Sequence, residues 1–129
     1  MDDRNEITDL FSRLSHLLDD KRWEDAHTVF THDVSVYSPR NGELHGLDEL
    51  VAFMRQAEVA EEQTQHVTTD VVVDVDGDQA AASANSIVYF FRDGQAPHRT
   101  SGLRLACAAV RTAQGWRLRE SRTTLRWMR

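Results

Sequence analysis

The spacing of the apolar residues changes period near residue 64, and this change constrains the fold more than any single motif does. Before it, Ile7, Leu10, Phe11, Leu14, Leu17 and Leu18 recur at helical spacing, which predicts an amphipathic helix over residues 4 to 20. Asp3, with Glu6 three residues on, resembles a capping box at its start. A second short helix is expected from Trp23 to Phe30, with Trp23, Ala26 and Phe30 on one side. "HDVSVYS" then alternates into a strand around residues 34 to 38, and Pro39 with Asn41-Gly42 breaks the chain. Beyond Gly46, the spacing of Leu47, Leu50, Val51 and Met54 predicts a third helix that ends near "EEQ". From residue 64 the period is two: Val71, Val73 and Val75 alternate with Val72 and Asp74, and Asp76-Gly77 supplies a tight turn into "AAASANSIVYFF". "RDGQ" and "TAQG" separate two further strands, "HRTSGLRLACAAVR" and "GWRLRESRTTLRWM". Helices followed by a four-stranded antiparallel meander place the chain in the α+β class, as one domain over 1–129 with helices on one face of a curved sheet.

Charge and composition narrow the function. A formal net charge of −6 argues against nucleic acid as a partner, which needs a coherent basic face. The arginines at 117, 119, 122, 126 and 129 alternate with Leu, Thr and Trp, as on a strand with a polar face. Cys107 is the only cysteine, so an intramolecular disulfide and a cysteine-based metal cluster are both excluded. Nothing reads as membrane-spanning, and the start "MDDRNEITDL" lacks a secretory pattern, so a cytoplasmic location is expected. The histidines at 16, 27, 32, 45, 66 and 98 have no HExxH spacing, so no metal site is expected. With no phosphate loop and no nucleophile elbow, what remains is cofactor-independent acid–base chemistry or plain binding.

The runs "LLDDKRWEDAHTVFTHDVSVYS", "GLDELVAFM", "TQHVTTDVVVDVDGDQA" and "GWRLRESRTTLRWM", in this order across nearly the whole chain, resemble the SnoaL-like branch of the nuclear-transport-factor-2-like superfamily. The resemblance implies a cone-shaped α+β barrel around a pocket, commonly dimeric through the outer sheet face. It also implies kinship with polyketide cyclases, scytalone dehydratase, a dehydrochlorinase and ketosteroid isomerase. In the dehydratase and dehydrochlorinase branches an Asp near the end of the first helix pairs with a His at the start of the strand after the third helix. The matching residues are Asp19, with Asp20 as the register alternative, and His66. In such a pair the carboxylate fixes the imidazole tautomer and the imidazole acts as general base. Tyr37 matches a pocket tyrosine of the dehydratase.

Trp23, Tyr89 and Arg104 complete the candidate substrate-binding set. Trp23 also reads as a packing residue, Tyr89 as a core or dimer-face residue, and Arg104 either as a pocket cation for an acidic ligand or as an exposed strand residue. Where the dehydratase carries a second histidine, this chain offers Asn85, Ser86 and Tyr89. Asp70, where many relatives have Asn, is a competitor for the imidazole. Strict alternation also puts His66 on the face of Thr68, Asp70 and Val72, opposite Val67, Val71, Val73 and Val75. Only a bulge, or a sheet covered on both faces, lets an inward His66 share the apolar valine face. The expected function is a cofactor-independent cyclase, isomerase or lyase acting on a lipophilic carbonyl- or hydroxyl-bearing molecule. The rival is a non-catalytic ligand-binding or dimeric scaffold protein, and a partner-binding adaptor is a third reading.

Overall fold

The computed structural model describes residues 2–129. Helix α1 spans Asp3–Asp20 and is followed by a short 3₁₀ helix, Trp23–Thr28. Strands β1 (Phe30–Ser38) and β2 (Gly42–His45) come next, then helix α2 (Leu47–Gln56). Four long strands complete the chain: β3 (Glu62–Asp76), β4 (Gln79–Arg92), β5 (Arg99–Thr112) and β6 (Gly115–Met128). They form one six-stranded sheet in the order β2-β1-β6-β5-β4-β3, with the helices packed on it. The expected meander from β3 to β6 is present. In addition, β1 joins β6 in parallel, and β2, which the sequence pattern did not reveal, pairs antiparallel with β1. Asn41-Gly42 therefore turns a hairpin, with Gly42 at φ 64°, rather than ending the β structure.

The start of α1 differs from the expected capping box. Asp2 is the N-cap and accepts the Asn5 N–H at 2.8 Å. Asp3 and Glu6 are thereby freed to fasten the helix to the far end of the sheet. Glu6 accepts the Trp116 main-chain N–H at 2.7 Å, while Asp3 takes the Trp116 indole N–H at 3.1 Å and the Arg111 guanidinium at 2.8 and 3.0 Å. Trp116 thus buries a large apolar ring without orphaning its indole N–H. It lies at the centre of the core with Ile7, Phe11, Val29, Val34 and Leu118, each worth roughly 1.5–3 kcal/mol of burial.

Helix α1 stops in a Schellman turn. Lys21 adopts the left-handed region (φ 55°), Arg22 N–H reaches Leu17 C=O at 3.1 Å and Lys21 N–H reaches Leu18 C=O at 3.4 Å. The stop leaves Asp19 in the last turn, beside β3.

The valine alternation is resolved by a β-bulge. Thr69 pairs with Asn85 and Val72 with Ser83, so β3 spends one more residue than β4 across this step. Asp70 takes a left-handed conformation there, with φ 55°. Before the bulge Thr64, His66 and Thr68 turn inward; after it Val71 and Val73 do, while Val67 and Val72 are exposed on the outer face.

Candidate functional site

Helix and strand repeats explain how α1 and β3 present matching side chains. Ser15 and Asp19, four residues apart on one helix face, are about 6 Å apart along the axis, close to the roughly 6.6 Å between alternate residues of a strand. The two elements run in opposite senses, so Ser15 meets Thr68 and Asp19 meets His66 and Thr64. The Asp19 carboxylate accepts the His66 ring Nδ1 at 2.6 Å, the His66 main-chain N–H at 3.0 and 3.1 Å, and the Thr64 hydroxyl at 3.0 Å. β3 is an edge strand, and the His66 N–H points away from β4, so Asp19 also satisfies a main-chain donor that the sheet leaves open.

A carboxylate at the negative end of a helix dipole is placed against the usual preference, at a cost of about 0.3–1 kcal/mol. The three donors converging on it offset that cost. Their chemical consequence is a fixed tautomer of the neutral ring: the proton sits on Nδ1, facing the carboxylate, and the lone pair lies on Nε2, which has no hydrogen-bond partner among the described residues. The pair is sheltered without being sealed, with side-chain exposures of 16% for His66 and 21% for Asp19. Asp20 is directed elsewhere, toward Arg22 at 3.8 Å.

Strand register extends the site across the sheet. His66 lies in a row with Val88, Ser101 and Met128, and Thr68 in the adjacent row with Ser86, Leu103 and Leu125. Val88, Ser86 and Ser101 are buried, whereas Leu125 and Met128 are exposed, so this face runs from the dyad to an open apolar margin. A hydroxyl chain crosses it: Ser15 Oγ lies 3.2 Å from Phe11 C=O and 2.9 Å from Thr68 Oγ1, which donates to Ser86 Oγ at 3.3 Å.

The four candidate substrate-binding residues are not brought to this face. Tyr37 pairs with Glu43 and Arg122 in a row that continues through Ala106, Ser83 and Val72 on the outer face, and the Arg122 guanidinium stacks 4.3 Å from its ring centroid. Tyr89 shares the outer face with Asn85 and Ile87, opposite in parity to Val88. Arg104 is exposed on that face and donates to Asn85 Oδ1 at 2.6 Å, while Asn85 donates to Asp70 at 3.0 Å. Hydrogen bonds from Asn85 and then Thr69, with the charge of Arg104 nearby, hold Asp70 below the ordinary aspartate range. Its carboxylate is thus engaged on the outer face and does not compete for the imidazole. Trp23 is buried between the 3₁₀ helix and α2, lines a separate groove of about 310 Å³ and donates its indole N–H to Glu58 at 2.5 Å.

Sequence reasoning passed over Ser15, Thr68, Leu103 and Leu125, which only the pairing register assembles. Cys107 is buried against Ser121, and burial pushes its thiol up to about 11, which makes it unreactive. Among the described residues, no cluster of three or more His, Cys, Asp or Glu could hold a metal ion, and no helix is long and apolar enough to cross a membrane.

Comparison with known proteins agrees with this architecture. The family model for the SnoaL-like domain matches residues 1–122. Among solved structures, the Kfla4162 protein from Kribbella flavida superposes with a TM-score of 0.88 at 27% identity, covering 98% of this chain and 93% of that one. ActVI-ORFA from Streptomyces coelicolor gives 0.83 at 20% identity, covering 95% and 96%. A hexachlorocyclohexane dehydrochlorinase (LinA) Type2 gives 0.85 at 12% identity, covering 98% and 86%. At the last two identities the likeness shows a shared fold. No curated protein matches the chain.

Proposed function

The chain belongs to the SnoaL-like domain family, and from that premise we propose that it is a cofactor-independent enzyme that moves protons on a lipophilic, carbonyl- or hydroxyl-bearing small molecule. The observation that carries this reading is the Asp19–His66 contact of 2.6 Å, because it leaves Nε2 as a neutral base on a face that ends in exposed Leu125 and Met128. Asp19 stabilises the imidazolium that forms when Nε2 takes a proton, and His66 returns that proton to a second position on the substrate. Cyclisation and isomerisation use both halves of this step, whereas in an elimination the abstracted proton departs with the leaving group or to water. That one superposing structure is a dehydrochlorinase supports the elimination branch by analogy of fold.

The direct test is deuterium uptake. β-Tetralone, a lipophilic ketone with acidic C–H bonds beside its carbonyl, is incubated in heavy water with wild type and with His66→Ala, and exchange is followed by NMR. A positioned base accelerates proton transfer by about 100- to 10,000-fold. Exchange lost in His66→Ala supports the reading. Exchange no faster than in buffer, with ketone bound, points instead to a non-catalytic ligand-binding protein.

The outer face carries the assembly part of the proposal, a homodimer. A cavity of about 590 Å³ lies over the small residues Ala81, Ser83, Ala106 and Ala108, with Arg122 on one side and Asp74 and Glu120 on others. Such a face carries both signs of charge around small side chains, as an isologous contact with a copy of itself requires. Sedimentation equilibrium of Ala106→Arg is expected to return a monomer where wild type returns a dimer.

A further inference from the structure

We propose that Ser86 is the hydrogen-bond donor to the substrate's oxygen, which makes the substrate a carbonyl compound whose reaction passes through an enolate. This deepens the proton-transfer reading of His66 and rests on it.

The inference comes from counting protons. Ser15, Thr68 and Ser86 carry one hydroxyl proton each. Thr68 donates to Ser86, and the Ser15 proton is claimed by Phe11 C=O and by the Thr68 contact. The Ser86 proton has no acceptor among the described residues, although Ser86 is only 3% exposed. A buried donor without an acceptor is costly to keep. Being an acceptor from Thr68 also polarises the Ser86 hydroxyl and makes it a stronger donor.

Register places this donor usefully. Ser86 is the diagonal neighbour of His66, whose direct partner is Val88. Diagonal neighbours on one face lie about 7 Å apart. An atom pair consisting of a carbonyl oxygen on Ser86 and a C–H bond on the adjacent carbon, about 3–3.5 Å from Nε2, fits in that span. His66 Nε2 takes the proton, and the C–H electron pair moves into the carbonyl to give an enolate oxyanion on Ser86. Return of the proton to the same or a conjugated carbon restores the carbonyl with no other reactant consumed. From Ser86 the row continues through Leu103 to the exposed Leu125, an apolar bed for the rest of the molecule.

The test uses para-nitrophenolate as an enolate mimic and nitrobenzene as its counterpart without the oxyanion, titrated against wild type, Ser86→Ala and Ser86→Thr. Loss of a hydrogen bond to a charged group predicts para-nitrophenolate binding weakened about tenfold or more in Ser86→Ala. Ser86→Thr, which keeps the hydroxyl, restores it, and nitrobenzene binds all three alike. Equal phenolate affinity in wild type and Ser86→Ala overturns the proposal. So does failure of wild type to bind para-nitrophenolate, or a parallel loss of nitrobenzene, which would mark Ser86 as structural. The readout needs no turnover, so it stands or falls separately from deuterium exchange by His66.

Discussion

Replacing Asp19 by alanine removes the acceptor shared by the His66 ring, the His66 main chain and the Thr64 hydroxyl. Hydrogen bonds to a charged group contribute about 1.5–3 kcal/mol, and an abandoned main-chain donor adds about 1–3 kcal/mol where water cannot replace the partner. Partial exposure, 21% at Asp19, lets water recover part of this. Relief of the unfavourable helix-dipole placement returns about 0.3–1 kcal/mol. The net expectation for Asp19→Ala is a loss of about 2 kcal/mol. For a chain of this length that lowers Tm by about 6–10 °C. Asp19→Asn keeps an oxygen for the main-chain N–H while losing the charge, so its expected loss is about half as large. Urea denaturation, with slopes checked for equality, measures both. An alanine variant within about 0.5 kcal/mol of wild type would mean that the carboxylate does not hold β3 to α1. Equal losses for Asn and Ala would show that the charge carries the whole interaction.

Three further outcomes follow from other parts of the molecule. Asp3, held below the ordinary aspartate value of 3.8 first by Arg111 and then by Trp116, contributes stability that is complete above that value and lost as pH falls through its lowered one. Asp3→Asn is therefore expected to flatten the acid side of the stability–pH curve, and an unchanged acid limb would refute it. Deleting Asp70 removes the extra residue of the bulge and leaves Thr64, His66 and Thr68 in strict alternation with the inward Val71 and Val73; deuterium exchange by His66 should survive the deletion, and its loss in a folded variant would contradict the bulge argument. A Cβ at Gly102 would lie 2.1 Å from the Trp127 ring, so Gly102→Ala should displace the indole, red-shift its fluorescence and cost about 1 kcal/mol; an unshifted emission spectrum would count against the packing.

Legibility in the sequence followed the strength of the local pattern. The stripe from Ile7 to Leu18 and the turn at Asp76-Gly77 yielded α1 and the β3–β4 hairpin, because each rests on a spacing that one element alone can satisfy. Strand β2, four residues of "GELH", has too short an alternation to register and exists because β1 pairs with it. The cap fell one residue earlier than expected because Asp2 and Asp3 are chemically equivalent and tertiary partners, Arg111 and Trp116, decided between them. Asp19 and His66 were singled out by family resemblance, while the face of His66 was hidden by the bulge at Asp70. In the continuous apolar run "IVYFF" nothing local distinguishes Tyr89 from Val88, so only pairing assigns Tyr89 to the outer face. The faces of Tyr37 and Arg104 were illegible for the same reason, since a strand side chain's face is set by its neighbours' register, and the sequence left both the pocket and the exposed-strand reading of Arg104 open.

Proton transfer by His66 Nε2 requires the neutral ring to hold its proton on Nδ1. A long-range proton–nitrogen correlation spectrum of the histidine rings, recorded for wild type and Asp19→Asn, reads this directly. In the neutral form of the His66 ring the proton is expected on Nδ1 in wild type, with a mixed or reversed tautomer in Asp19→Asn. A proton on Nε2 in wild type, or a spectrum indifferent to Asp19, would contradict it.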